Sequence, residues 1–177
     1  MSYQAIDYHA ADQVATITLN RPEARNGYTV RMADELADAF TRAEADTTVR
    51  VIILAGAGKD FCVGMDLASG GLDLDPEELS DSGWVEPATR VTAKMYASHK
   101  PVIAAVQGSA VGVGATMILP ADYRLAASDA RFGYVFSQRG LYPEGGSTWF
   151  LPRIVGLGRA MDWMISGRVF DVAEAFA

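Results

Sequence analysis

The sequence predicts a single α/β domain over residues 1–177, and three stretches carry that reading. The apolar run Val102-Ile103-Ala104-Ala105-Val106, opened by Lys100-Pro101, ends in Gly108-Ser109-Ala110-Val111-Gly112-Val113-Gly114 and is followed by a short helix-like segment. A helix-length stretch lies between two strand-like ones, Val14 to Leu19 and Val49 to Ala55. A second turn, Tyr142-Pro143-Glu144-Gly145-Gly146, also leads into a helical pattern. Glycines ahead of a helix bring bare N–H groups to its positive end, a ready site for negative charge. The second turn supplies a carboxylate, Glu144, to face it.

From the N-terminus, residues 4 to 8 read as a short strand, and Val14 to Leu19 alternates Val14, Ile17 and Leu19 with Thr16 and Thr18 as a half-buried one. Asn20-Arg21-Pro22 to Gly27 breaks it, and Thr29 caps a helix reaching Ala45. Its buried stripe is Met32, Ala33, Leu36, Ala37, Phe40 and Ala43, at three- and four-residue spacing. Val49 to Ala55 reads as a strand covered on both faces. Residues 60 to 89 hold eight acidic side chains and no Lys or Arg, and Ser69 to Gly83 within them reads as a surface excursion, either a solvated loop or a lid. A helix over 87 to 98, the central strand, a strand from Asp122 to Ala127 and a short one from Phe132 to Phe136 come next. Helical patterns cover Ser147 to Val155 and Arg159 to Ile165, and Asp171 with Glu174 forms a capping box for a last helix. That helix stops at Ala177, six residues past its cap, so the natural protein is expected to continue.

At 177 residues, half of them hydrophobic, the chain can bury a sizeable core. Fifteen Lys and Arg against 22 Asp and Glu give a formal charge of −7, which argues against nucleic acid or an anionic membrane and for a small-molecule partner. The single cysteine, Cys62, rules out an intramolecular disulfide framework or a Cys-rich zinc site, and it reads as a small core residue. With no basic, apolar leader and no apolar run near membrane-spanning length, the expectation is a soluble, cytoplasmic protein.

Spacing dismisses several familiar sites. Gly108, Gly112 and Gly114 read G-x-x-x-G-x-G, not the dinucleotide fingerprint, and Gly58-Lys59 is followed by Asp60 where a P-loop needs Ser or Thr. No G-x-S-x-G elbow is present. Of the other carboxylates, Asp66 reads as shaping its turn or the ligand pocket, Asp122 as structural, and Asp73, Asp75, Glu77 and Glu78 as solvated charges.

Asn20-Arg21-Pro22, Phe61-Cys62-Val63-Gly64-Met65-Asp66-Leu67, the stretch Lys100 to Asp122 and Gly140 to Arg153 together resemble the enoyl-CoA hydratase/isomerase (crotonase) superfamily. The resemblance spans nearly the whole chain, with four motifs in order. It implies a spiral of ββα units over two roughly perpendicular sheets, an acyl-CoA thioester substrate and no metal or redox cofactor. It also implies that the C-terminal helical region used for trimer contacts lies outside these residues, the complete protein being a homotrimer or dimer of trimers.

By the same resemblance, the backbone N–H groups of Met65 and Val113 form an oxyanion hole for the thioester oxygen, with Gly64, Gly112 and Gly114 keeping side chains clear. Arg25 and Lys59 are the candidate CoA phosphate contacts, Met65, Asp66 and Leu67 border the CoA, and Phe136 lies in the substrate pocket. The two glutamates with which hydratases activate water correspond to Thr116 and Phe136 here, neither of which can act as a base. Pro143-Glu144-Gly145-Gly146-Ser147 instead resembles the turn of peroxisomal-type Δ3,Δ2-enoyl-CoA isomerases, which makes Glu144 the candidate proton shuttle. Phe136, Tyr142, Trp149 and Phe150 are the apolar groups expected to bury it. The alternatives are a hydratase, hydrolase or other reaction of the superfamily with an unidentified base, and a non-catalytic acyl-CoA-binding module.

Overall fold

The computed structural model describes residues 3–69 and 83–177, a mixed chain of strands and helices. β1 (Ile6–Ala11) and β2 (Val14–Leu19) pair antiparallel, joined through Asp12 and Gln13 at φ 50° and 67°. Two positive-φ residues in succession match the strands' own twist and so close a tight hairpin. β1 therefore runs to residue 11, beyond the 4–8 expected, because Asp-Gln lacks the glycine that usually marks such a turn.

α1 (Val30–Ala45) begins where Thr29 Oγ1 accepts the Met32 N–H at 3.1 Å. It buries Met32, Ala33, Leu36, Phe40 and Ala43 as expected, with Ala39 in place of the half-buried Ala37. At about 100° per residue, Ala37 lies about 100° round the helix from Leu36 but Ala39 only about 60°. β3 (Val51–Gly56), β4 (Val102–Val106) and β6 (Tyr123–Ala126) extend the sheet in parallel, in the order β1-β2-β3-β4-β6. β3 buries Ile52 and Leu54 but leaves Val51, Ile53 and Ala55 half-buried, so one of its faces is only partly covered. β6 is the exposed edge strand, and Asp122 just before it accepts the Val102 N–H at 2.8 Å. α2 (Pro87–Tyr96) packs beside α1 and leads into β4.

The chain leaves this sheet at Val106 and enters a second one at β5 (Ser109–Val111), which pairs with β7 (Arg131–Gly133), itself paired with β8 (Val169–Asp171). β7 is shorter than the expected Phe132 to Phe136, because a 3-10 turn takes over at Val135–Arg139. The short α3 (Val113–Met117) follows β5. α4 (Ser147–Val155), α5 (Leu157–Ser166) and α6 (Val172–Phe176) complete the chain, and Asp171 Oδ1 accepts the Glu174 N–H at 2.9 Å. Residues 70–82 of the expected Ser69–Gly83 excursion, with Asp73, Asp75, Glu77 and Glu78, lie outside the described residues. No helix among the described residues is long and apolar enough to cross a membrane.

Candidate active site

Two glycine turns meet where the sheets join. The segment before Gly64 runs parallel to β5: Cys62 N–H donates to the Ser109 carbonyl at 2.9 Å, and Val111 N–H to the Cys62 carbonyl at 3.0 Å. Gly64 (φ 98°) and Gly112 (φ 56°) then turn together, so close that a Cβ on Gly112 would stand 3.7 Å from Gly64 Cα. Such dihedrals are costly for any residue with a Cβ. Each turn is followed by an expected donor, Met65 and Val113, and Val113 opens α3. Neither N–H meets a protein acceptor among the described residues.

The residues expected around the CoA divide into two sets. Asp66 shapes its turn: one oxygen meets Arg21 at 2.8 Å and the other the Ala68 N–H at 3.1 Å. Leu67 is exposed in a 3-10 turn, and Lys59 is exposed. Arg25, in the left-handed region at φ 52°, gives its Nε to the buried Asp60 at 2.7 Å. Its position is thus set by an ion pair within the fold, while the guanidinium stays largely exposed. Asp60 Oδ1 also accepts the Ser109 N–H at 2.9 Å, and the Arg25 bond does most to hold its carboxyl down at about 2.

Glu144 sits on a third turn, ahead of α4. A Cβ at Gly145 would lie 2.7 Å from Thr116 Cγ2 and 3.1 Å from Ala88 Cβ. The turn carrying Glu144 is therefore pressed between the first turn of α2 and the same α3 that presents Val113. Burial first, and then the negative charge of Glu86, raise the Glu144 carboxyl to about 7. No salt bridge to Glu144 occurs among the described residues. Phe136 is buried, but Tyr142 is 81% exposed and Trp149 packs edge-on against Tyr96 at 5.4 Å. Tyr142 therefore does not enclose Glu144 as expected, and Thr116 and Ala88 pack the turn at Gly145.

Tyr28 and Glu86 escaped the sequence reading. Tyr28 is fully buried and donates its hydroxyl to the Pro87 carbonyl at 3.0 Å, and burial pushes its phenol well above its ordinary value. Thr116 Oγ1 and Ser147 Oγ are buried without a hydrogen-bond partner among the described residues. Glu86 caps α2 through Ala88 and Thr89. An acidic residue just before a proline-led helix is a recognisable cap, and that was the signal available for Glu86. Burial pushes the Cys62 thiol up to about 12, in keeping with its reading as a core residue. His99 pairs with Glu44 at 3.0 Å on the surface. No group of three or more His, Cys, Asp or Glu positioned to hold a metal occurs among the described residues.

Chemically, two unpaired amides and a carboxyl raised to about 7, on a turn packed against the helix that Val113 opens, suit a reaction in which an oxygen gains charge while a proton moves. Residues 9–177 match the family model described as enoyl-CoA hydratase/isomerase, and the chain belongs to that family. It is 40% identical over 171 residues to a 1,2-epoxyphenylacetyl-CoA isomerase of Escherichia coli K12, covering 94% of this chain and 64% of that protein. It is 34% identical to an enoyl-CoA hydratase of Alternaria alternata, covering 93% of this chain and 55% of that one. The chain thus spans less than two-thirds of the length of either relative. An enoyl-CoA hydratase/isomerase structure from Pseudoalteromonas atlantica T6c superposes with a TM-score of 0.86 at 32% identity, covering 98% of this chain and 66% of that chain.

Proposed function

We propose that this chain is the catalytic core of an acyl-CoA enzyme and, within that class, of a Δ3,Δ2-enoyl-CoA isomerase. The Met65 and Val113 N–H groups bind the thioester oxygen. Glu144 takes a proton from C2, the electron pair spreads into a dienolate whose charge rests on that oxygen, and the same carboxyl returns the proton to C4. The double bond moves from C3–C4 to C2–C3 with no net change in atoms or electrons. One base suffices, so neither a metal nor a redox cofactor enters the reading. Two such donors, set before the reaction, stabilise the charge without reorganising.

The observation that carries this reading is the Glu144 carboxyl, raised to about 7 on a turn packed against the helix that begins with Val113. A group titrating there can both accept and release a proton at neutral pH. Thr116 and Phe136, at the positions that the resemblance gives to the hydratase glutamates, support isomerisation over hydration. Gly64, Gly112, Gly114 and Phe136 shape the acyl pocket, and Arg25, Lys59, Asp66 and Leu67 lie towards the CoA. The complete protein is proposed to be a cytoplasmic trimer or dimer of trimers.

The test measures 3-enoyl-CoA conversion to conjugated 2-enoyl-CoA, and separately the hydration of 2-enoyl-CoA, with wild-type protein and Glu144→Gln. Isomerisation lost in the variant supports the reading. Hydration that continues undiminished after Glu144→Ala points to a hydratase with another base, and CoA-ester binding with no turnover to a binding module.

A further inference from the structure

Glu86 is held more firmly than a helix cap requires. Its Oε1 accepts the Ala88 N–H at 2.6 Å, and its Oε2 accepts both the N–H and the hydroxyl of Thr89 at 2.8 Å. Pro87 occupies the first helical position, which fixes the backbone just after the cap. With both oxygens occupied, the Glu86 carboxylate is held in one place.

The Glu144 turn rests on this cap. A Cβ at Gly145 would stand 3.1 Å from Ala88 Cβ and 3.7 Å from the Ala88 carbonyl carbon, so the backbone carrying Glu144 touches the residue whose N–H binds Glu86. We propose that Glu86 is a positioning residue for the Glu144 base: a negative charge fixed by the α2 cap against the turn that carries Glu144, there so that one carboxyl can take and return a proton in the same cycle. This rests on the isomerase reading of Glu144.

The other groups around the pair do not oppose this effect. Tyr28, ahead of α1, is a buried phenol bonded to the Pro87 carbonyl, Cys62 is a buried thiol, and Thr116 on α3 carries no charge. Arg90, one turn into α2, is turned to Asp34 at 2.7 Å and to the Val85 carbonyl at 2.8 Å. After burial, Glu86 is the next cause raising both Glu144 and Tyr28, which sets the three in one neighbourhood. Asp34 on α1 adds a further negative charge towards Tyr28.

The experiment titrates the Glu144 carboxyl by 13C NMR in full-length protein and records the pH profile of kcat/KM for 3-enoyl-CoA. Wild type is compared with Glu86→Ser, Glu86→Asp and Glu144→Gln. Serine still caps the helix but removes the charge, whereas aspartate keeps both. The Glu144 midpoint and the rising limb of the profile are expected to fall by roughly half a pH unit or more in Glu86→Ser and to stay near wild type in Glu86→Asp. An unchanged midpoint in folded Glu86→Ser overturns the proposal, and so does an equal fall in Glu86→Asp, which would make the effect one of cap geometry. Glu86→Gln supplies a second neutral variant if the serine protein does not fold. Isomerisation that survives Glu144→Gln would remove the functional reading, while the NMR midpoints would still decide whether Glu86 acts on Glu144.

Discussion

A methyl group on Gly114 would sit 2.3 Å from the carbonyl oxygen of Cys62. That contact seats the first turn of α3 directly on the segment leading to Gly64, so it fixes Val113 relative to Met65. Gly114→Ala must separate the two, at a cost of about 1–3 kcal/mol. Because the separation falls on the pair of amides, kcat is expected to drop further than the loss of stability explains. Urea denaturation beside steady-state kinetics checks this; normal turnover in a destabilised variant would mean that the spacing of the amides is immaterial.

Val113→Pro offers a cleaner removal of one donor. Proline suits the first position of a helix, where its missing N–H has no intrahelical partner in any case. The expected result is near-normal secondary structure with kcat lowered by ~10² to 10³, equivalent to around 3 kcal/mol. Circular dichroism with a turnover assay makes the comparison, and wild-type kcat in this variant would remove Val113 from the proposed oxyanion hole.

The parts of the fold that were legible were those with local causes. Thr29 and the stripe from Met32 to Ala43 marked α1 because a cap and a 3.6-residue period are both written in neighbouring residues. Gly64 and Gly112 stood out through their motifs, and positive φ is the physical reason for glycine at both. What stayed hidden depends on contacts across the chain: Gly145 against Ala88 and Thr116, Arg25 against Asp60, and Tyr28 beneath Pro87. The Asp12-Gln13 turn was hidden for the opposite reason, since it is local but uses residues that seldom take positive φ. Glu144 was visible as a candidate; the source of its raised proton affinity was not, because packing from other elements supplies it.

Thr116→Val tests a buried hydroxyl. Thr116 is fully buried and its Oγ1 has no partner among the described residues, so valine keeps the shape while removing a desolvated polar group. The variant is expected to gain about 1 kcal/mol in urea denaturation. A loss of similar size would show that the hydroxyl is bonded in solution.

The Arg25–Asp60 pair predicts a pH dependence of stability. Asp60, held down at about 2 chiefly by Arg25, titrates in the folded protein below its ordinary 3.8. The unfolded chain therefore binds the proton first, and the pair's contribution is present above about pH 4 and lost as pH falls towards 2. Arg25→Gln is expected to cost about 1 kcal/mol at pH 7, an effect kept modest by the exposed guanidinium. The gap from wild type should narrow below pH 4 in denaturant titrations. A gap independent of pH would mean that the arginine acts through packing alone.

Glu144 has the opposite sign. Its folded value of about 7 lies above the ordinary 4.5, so between those pH values the folded chain keeps a proton that the unfolded chain has released. Stability contributed by this site falls as pH rises from about 4.5 to about 7 and levels off beyond. Glu144→Gln removes the ionisation: the variant should match wild type near pH 4 and exceed it at pH 8 by on the order of 1 kcal/mol, because water reaches the half-buried side chain and screens part of the penalty. Thermal melts at the two pH values, beside the isomerisation assay, give the comparison. If the fold keeps a working base at a cost to its own stability, the variant gains stability only at high pH and is inactive throughout. Equal stability at both pH values would mean that Glu144 titrates as an ordinary surface carboxylate, and its candidacy as the proton shuttle would lose its physical basis.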